Sequence, residues 1–110
     1  MTTNVNYTRE SKYVTIADGA TLSDALDCKS QVLWTMYVPS TFEGTVITFK
    51  VSADGSTYYD LYDENNALVS MTVAASRAYR LGTDLLGARY YKVVAGTSQT
   101  GASIIYFDLF

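Results

Sequence analysis

The chain has 110 residues, 48% hydrophobic and 17% charged, with a formal net charge of -3, enough for one globular domain with a single core and too few for two. It has no His and one Cys, Cys28, which excludes the commonest general base, any internal disulfide and a Cys/His zinc set. The acidic balance, with a pI near 4.6, argues against nucleic acid, and no apolar run approaches the roughly 18 residues of a membrane span.

The first residues, MTTNVNYTRESK, have scattered charge and no apolar heart, so they are not a secretory signal. They read as a flexible arm, residues 1–12, that orders only when something docks it; Tyr7 and Arg9 are its candidate contact residues. YVTI then opens the folded domain, residues 13–110, as a first strand. In TLSDALD, Leu22, Ala25 and Leu26 have helical spacing, but the run is too short for a helix of its own. It reads as a loop or single turn pinned by Leu22 and Leu26. Cys28 follows as a small buried apolar group, with a reactive thiol as the alternative.

QVLWTMYV places Val32, Trp34, Met36 and Val38 on one face and Leu33 and Tyr37 on the other. A strand apolar on both faces is central or covered by a neighbour. Pro39 ends it, because it cannot donate to a ladder.

FKVSADGSTYYDLYDE, residues 49–64, sets Asp54, Asp60, Asp63 and Glu64 among Tyr58, Tyr59 and Tyr62. It can be read as a calcium or sugar loop, or as a hairpin. A two-residue Asp-Gly loop would pair Phe49 with Asp60, setting a core aromatic against a carboxylate. A three-residue loop, Ala53 to Gly55, pairs Phe49 with Tyr59 and Ile47 with Leu61, with Gly55 left-handed, and this is the predicted register. Asp54 then caps the turn. Phe49, Val51, Tyr59 and Leu61 face inward, and the acids scatter over two strand ends, without the convergence or spacing of a calcium loop. Tyr58, Asp60 and Tyr62 form an outward stripe, either filling space beside a neighbouring strand or offering a contact surface.

Downstream, ALVSMTV alternates with Val69, Met71 and Val73 inward and Ser70 and Thr72 outward. AYRL pairs Tyr79 with Leu81, and ARYYKVVAG sets Tyr91 and Val93 against Tyr90, Lys92 and Val94. ASIIYFDLF sets Ile105, Phe107 and Leu109 against Ile104, Tyr106 and Phe110. So apolar a strand must be paired inside a sheet or an interface. Arg77, Arg80, Arg89 and Lys92 pair with carboxylates or line an interface.

Ten Tyr, four Phe and one Trp against one Pro, in short runs broken by Gly, Asp, Asn and Ser, predict an all-β fold. The expected architecture is a single-domain antiparallel β-sandwich of about eight strands, jelly-roll-like or immunoglobulin-like. Chemistry is sparse. A His-dependent triad cannot form, GTDLLG lacks the Lys of a P-loop, and Asp60, Asp63 and Glu64 are the remaining carboxylate candidates for glycoside hydrolysis. So short a chain has hardly room for both core and cleft, so the reading is a non-enzyme without metal or cofactor.

The ordered series VTIADGATLSDALD, VLWTMYVPSTFEGTVITFKVSADGSTYYDLYDENNALVSMTV and RAYRLGTDLLGARYYKVVAGTS resembles small proteins encoded among the structural genes of tailed bacteriophages, from about Val14 onward. The resemblance implies a compact β-sandwich virion component, like capsid decoration or cement proteins and accessory head or tail modules. Asp54, Gly55 and Pro39 are then fold determinants, no catalytic residue is carried over, and the surplus of Tyr points to an enlarged protein-protein surface. The expected partner is the major capsid protein, with self-association, a trimer being one arrangement. The expected location is the capsid surface after assembly in the host cytoplasm. The alternative is a carbohydrate-binding or adhesin module of a phage tail, with tyrosines as stacking platforms.

Overall fold

Runs of β-branched and aromatic residues extend and pair because their side chains pack on a pleated surface. The computed structural model describes residues 9–85 and 87–110, so Tyr7 and most of the expected arm lie outside the described residues. The strands are β1 (Glu10–Ile16), β2 (Leu26–Asp27), β3 (Leu33–Val38), β4 (Val46–Ser52), β5 (Tyr59–Asp60), β6 (Ser70–Thr72), β7 (Arg77–Arg80), β8 (Tyr90–Ala95) and β9 (Ser103–Leu109), with one 3-10 turn at Thr83–Leu85.

All pairings are antiparallel. One sheet has the order β1-β9-β3-β7; the other is β2-β8-β4, with β5 and β6 sharing the far side of β4. Consecutive strands therefore lie in opposite sheets everywhere except from β4 to β6. First pairs with last and second with last but one, the nested order of a jelly roll. An immunoglobulin sandwich would instead place more sequence neighbours side by side.

The core lies between the sheets. Val14, Ile16, Leu33, Met36, Val38, Ile105, Phe107 and Leu109 from one face meet Ile47, Phe49, Tyr91, Val93 and Ala95 from the other, all buried. The Tyr91 hydroxyl is satisfied inside, donating to the Leu85 carbonyl at 2.5 Å. The alternation expected of the later strands holds: Val69, Val73, Leu81, Tyr91 and Val93 are buried, and Met71 and Tyr79 pack on the core from its rim. Cys28 is buried, and burial pushes its thiol up to about 11, as for an inert core group. Pro39 follows β3 directly.

Four expectations need correction. Trp34 does not point inward with Met36 and Val38; it is 46% exposed, whereas Leu33 is buried. Pairing shifts between Leu33↔Leu109 and Thr35↔Asp108, so β3 holds one extra residue and its facing changes phase at that bulge. Leu22 is also exposed, because its segment makes a bridge to Val94 instead of a turn; only Leu26 is a buried anchor, on the short strand β2. The ladder already begins at Glu10, opposite Leu109, so residues 10–12 are docked strand.

The fourth correction is the hairpin. Val51 faces Tyr59 and Lys50 faces Asp60, and Leu61 N–H donates to the Phe49 carbonyl at 3.0 Å. Phe49 does not face a carboxylate, as parity requires, but the register lies two residues beyond the predicted one. The cause is side-chain bonding. The Asp54 carboxylate accepts the N–H groups of Ser56 (2.8 Å) and Thr57 (2.9 Å), and Ser52 Oγ accepts that of Gly55 (2.9 Å), so the loop stays closed through Thr57. Gly55 does take a left-handed conformation, φ 81°. Tyr59 is consequently carried past the core and is 68% exposed, while Val51 and Leu61 pack at its rim.

One buried polar side chain ties three loops together. Gln99 Nε2 donates to the carbonyls of Glu43 (2.8 Å) and Thr97 (2.9 Å), and its Oε1 accepts the Glu43 N–H (2.9 Å) and the Ser103 hydroxyl (2.9 Å). Its backbone bonds Gly19 and Ala20. Burial of a fully bonded amide is stable, whereas removing it strands several partners. Gln99→Leu, which keeps the volume, is expected to lower unfolding free energy in urea by about 3 kcal/mol, with an unchanged m-value.

Candidate docking face

The outer face of the β1-β9-β3-β7 sheet is built by the same alternation that builds the core. With Val14, Met36, Val38, Ile105 and Phe107 inward, the residues between them must point out. Tyr13 pairs with Tyr106 and Tyr106 with Tyr37, so three tyrosines form a row across three strands, 56%, 46% and 41% exposed in the order Tyr13, Tyr106, Tyr37. Beside them Asp108 pairs with Ser11 and Thr35, and Thr35 with Arg80. The Tyr37 hydroxyl donates to Asp108 Oδ2 at 2.6 Å, and this bond raises the Tyr37 pKa. Arg9 is exposed and acts weakly in the opposite sense on Tyr37.

The extra residue in β3 adds Trp34 to this face. Its ring meets Phe110 edge-on, with centroids 5.7 Å apart at 78°. Ile104 is exposed too. Shallow grooves flank the face: one runs between Tyr37, Pro39, Thr41, Ile104 and Tyr106, with a volume of about 300 Å³, and another lies between Trp34, Arg80 and Thr83. The rings are not coplanar: Tyr13 and Tyr106 lie 5.5 Å apart and tilted by 51°. The face therefore offers edges, hydroxyls and apolar ring surface, arranged unlike a flat stacking plane.

The other sheet's outer face is internally paired. Lys50 Nζ meets Asp60 Oδ1 at 2.7 Å, Lys92 lies 4.4 Å from the Tyr58 ring centre, and Arg89 grips Asp27 at 2.9 and 3.1 Å while covering Tyr90. The stripe expected from sequence is thus split: Asp60 faces Lys50, Tyr58 is half-buried beneath Lys92, and Tyr62 is exposed. The Tyr58 hydroxyl is buried without a hydrogen-bond partner.

The carboxylates do not converge. Asp63 accepts the N–H groups of Asn65 and Ala67 in its own turn, Asp60 is held by Lys50, and Glu64 is exposed. No group of three or more metal-ligating side chains comes together among the described residues. The sequence missed the Tyr13–Tyr106–Tyr37 row because it is assembled from three distant segments. Its signal was present, however, in the two-faced apolarity of QVLWTMYV and ASIIYFDLF.

Comparison with protein-family models, curated proteins and solved structures finds no match to this chain.

The Arg89–Asp27 pair carries a pH signature. Hydrogen bonding to Arg89 lowers the Asp27 pKa from 3.8 to about 2. A depressed carboxylate pKa adds stability above the unfolded-state value that is lost as pH falls through the folded one. The wild-type chain should therefore lose stability relative to Arg89→Met between about pH 4 and 2, read as converging urea midpoints, with no such convergence above pH 5.

Proposed function

We propose that this chain is a non-enzymatic structural protein of a phage virion that decorates or cements the capsid, docking on the major capsid protein through the outer face of the β1-β9-β3-β7 sheet. The observation that carries the reading is the row Tyr13, Tyr106 and Tyr37, each more than two-fifths exposed, continued by Trp34 and Phe110. Tyrosine and tryptophan are enriched where proteins meet, because each buries large apolar area yet keeps a polar handle. Contiguous apolar exposure on this scale marks an interaction site. A jelly roll with two internal ion pairs on its other face meets the mechanical needs of a shell component, and the sequence resemblance to phage structural proteins points the same way. The fold alone does not choose, since capsid and lectin domains share it.

The tilted packing of Tyr13 against Tyr106 favours a protein partner over a sugar, which stacks on an open ring plane. Shells lacking the protein provide the test. Wild-type chain should bind them and raise their heat resistance, Tyr106→Ala should weaken binding by about thirtyfold, the effect of a central interface tyrosine worth roughly 2 kcal/mol, and Tyr62→Ala should leave it unchanged. Equal binding by both variants would overturn the docking face. No binding by wild type, together with glycan-array binding lost in Tyr58→Ala or Tyr62→Ala, would replace the reading with carbohydrate recognition.

A further inference from the structure

β1 forms one edge of its sheet and is the longest edge strand among the described residues: β7 has four residues with Arg77 and Arg80 exposed, β2 and β5 have two each, and β6 has three. Short edges and exposed like charges are how sheets avoid pairing with other chains. The far end of β1 is covered. Thr15 N–H donates to Asp24 Oδ1 at 2.8 Å, and its carbonyl accepts the Asp24 N–H at 3.2 Å. Backbone groups alternate sides along an antiparallel strand, so Tyr13, Ser11 and Arg9 aim their N–H and C=O groups away from β9, as Thr15 does. Among the described residues no strand pairs on that side of them; Lys12 Nζ, between them, donates to the Asp27 carbonyl at 2.8 Å.

We propose that Arg9 to Tyr13 pairs with the same segment of a second copy of this chain, antiparallel, about a two-fold axis through Ser11. The register follows from three constraints. Hydrogen-bonding parity pairs odd residues with odd. The Asp24 cover at Thr15 ends the ladder at Tyr13, and symmetry ends it at Arg9. Charge then selects the axis. Centred on Lys12 the pairing would oppose Lys12 to the partner's Lys12, and centred on Glu10 it would oppose Glu10 to the partner's Glu10. Centred on Ser11 it sets Glu10 against the partner's Lys12 and Lys12 against the partner's Glu10, with Arg9 beside the partner's Tyr13. Opposite charges directly across a ladder stabilise it, and like charges oppose it. Glu10 and Lys12 already share one side of β1, 3.7 Å apart.

The pairing joins two sheets edge to edge and sets two tyrosine rows abreast on one continuous face. That doubles the docking surface and lets two weak contacts act as one. The inference does not depend on the capsid reading, since pairing is read in solution and shell binding separately.

Sedimentation velocity of the full chain over a wide concentration range tests it. The wild-type chain should pass from monomer to dimer. Ser11→Pro, whose lost N–H faces the open edge and is tolerated by the monomer fold, should stay monomeric with an unchanged near-ultraviolet spectrum. Glu10→Lys and Lys12→Glu should each weaken the dimer by about fivefold, and the two together should restore it. The proposal is overturned by a monomer at every concentration up to about 1 mM, by a dimer indifferent to Ser11→Pro, or by single and double charge variants that weaken alike. A chain that dimerises only after removal of residues 1–8 would assign the edge to its own N-terminus and overturn it equally.

Discussion

β3 carries one residue more than β9 between Leu33 and Thr35, and the character of both faces of the first sheet follows from that insertion. Strict alternation back from Val38 and Met36 would drive the Trp34 indole into the space between two sheets about 10 Å apart and put Leu33 outside. The bulge lets Leu33, Met36 and Val38 all enter the core, where they are at most 3% exposed. Trp34 is released to the opposite face, against Phe110. β9 sits between β1 and β3, so Ile105, Phe107 and Leu109 hold the core together while Ile104, Tyr106 and Phe110 supply the middle of the aromatic face. One strand thus builds both the core and the aromatic face.

Period-two alternation was legible wherever a strand runs without interruption. Val69 and Val73, Tyr91 and Val93, and Ile105, Phe107 and Leu109 all face as their spacing dictates, because burial of one sheet face leaves a single workable phase. The phase failed where side chains or an extra residue reset it. Nothing in QVLWTMYV announces a bulge, since it is imposed by fitting two strands together. The hairpin register turned on the carboxylate of Asp54 holding the Ser56 and Thr57 amides, a local bond that outweighs the default Asp-Gly turn. Nesting of first strand with last was likewise open, because it depends on contacts between chain ends. For the same reason the tyrosine row was invisible as a unit: Tyr13, Tyr37 and Tyr106 meet only once β9 lies between β1 and β3.

Asp54 and Asp63, two of the acids that first suggested a ligand loop, share a structural use with three other aspartates. Asp18, Asp24, Asp27, Asp54 and Asp63 each accept backbone N–H groups at loops and strand ends. A carboxylate doing so satisfies donors that no ladder reaches. Five of the eleven acidic residues therefore close loops and strand ends. The sheet faces are left to contrast: one carries Lys50, Lys92 and Arg89 with their own partners and exposes Tyr59 and Tyr62 beside β5, the other presents a row of tyrosines across three strands. That asymmetry, more than any single residue, argues for one docking surface.

Docking as proposed requires the outer face of the β1-β9-β3-β7 sheet to be open to solvent in the free chain and closed in the bound one. Trp34 is the single tryptophan and stands on that face, so its fluorescence reports the face alone. Collisional quenching by iodide should be efficient in the free protein, with red-shifted emission, and should fall with a blue shift on binding to shells. A free-state tryptophan that is blue-emitting and shielded from iodide would contradict the bulge, the phase of β3 and the docking face together.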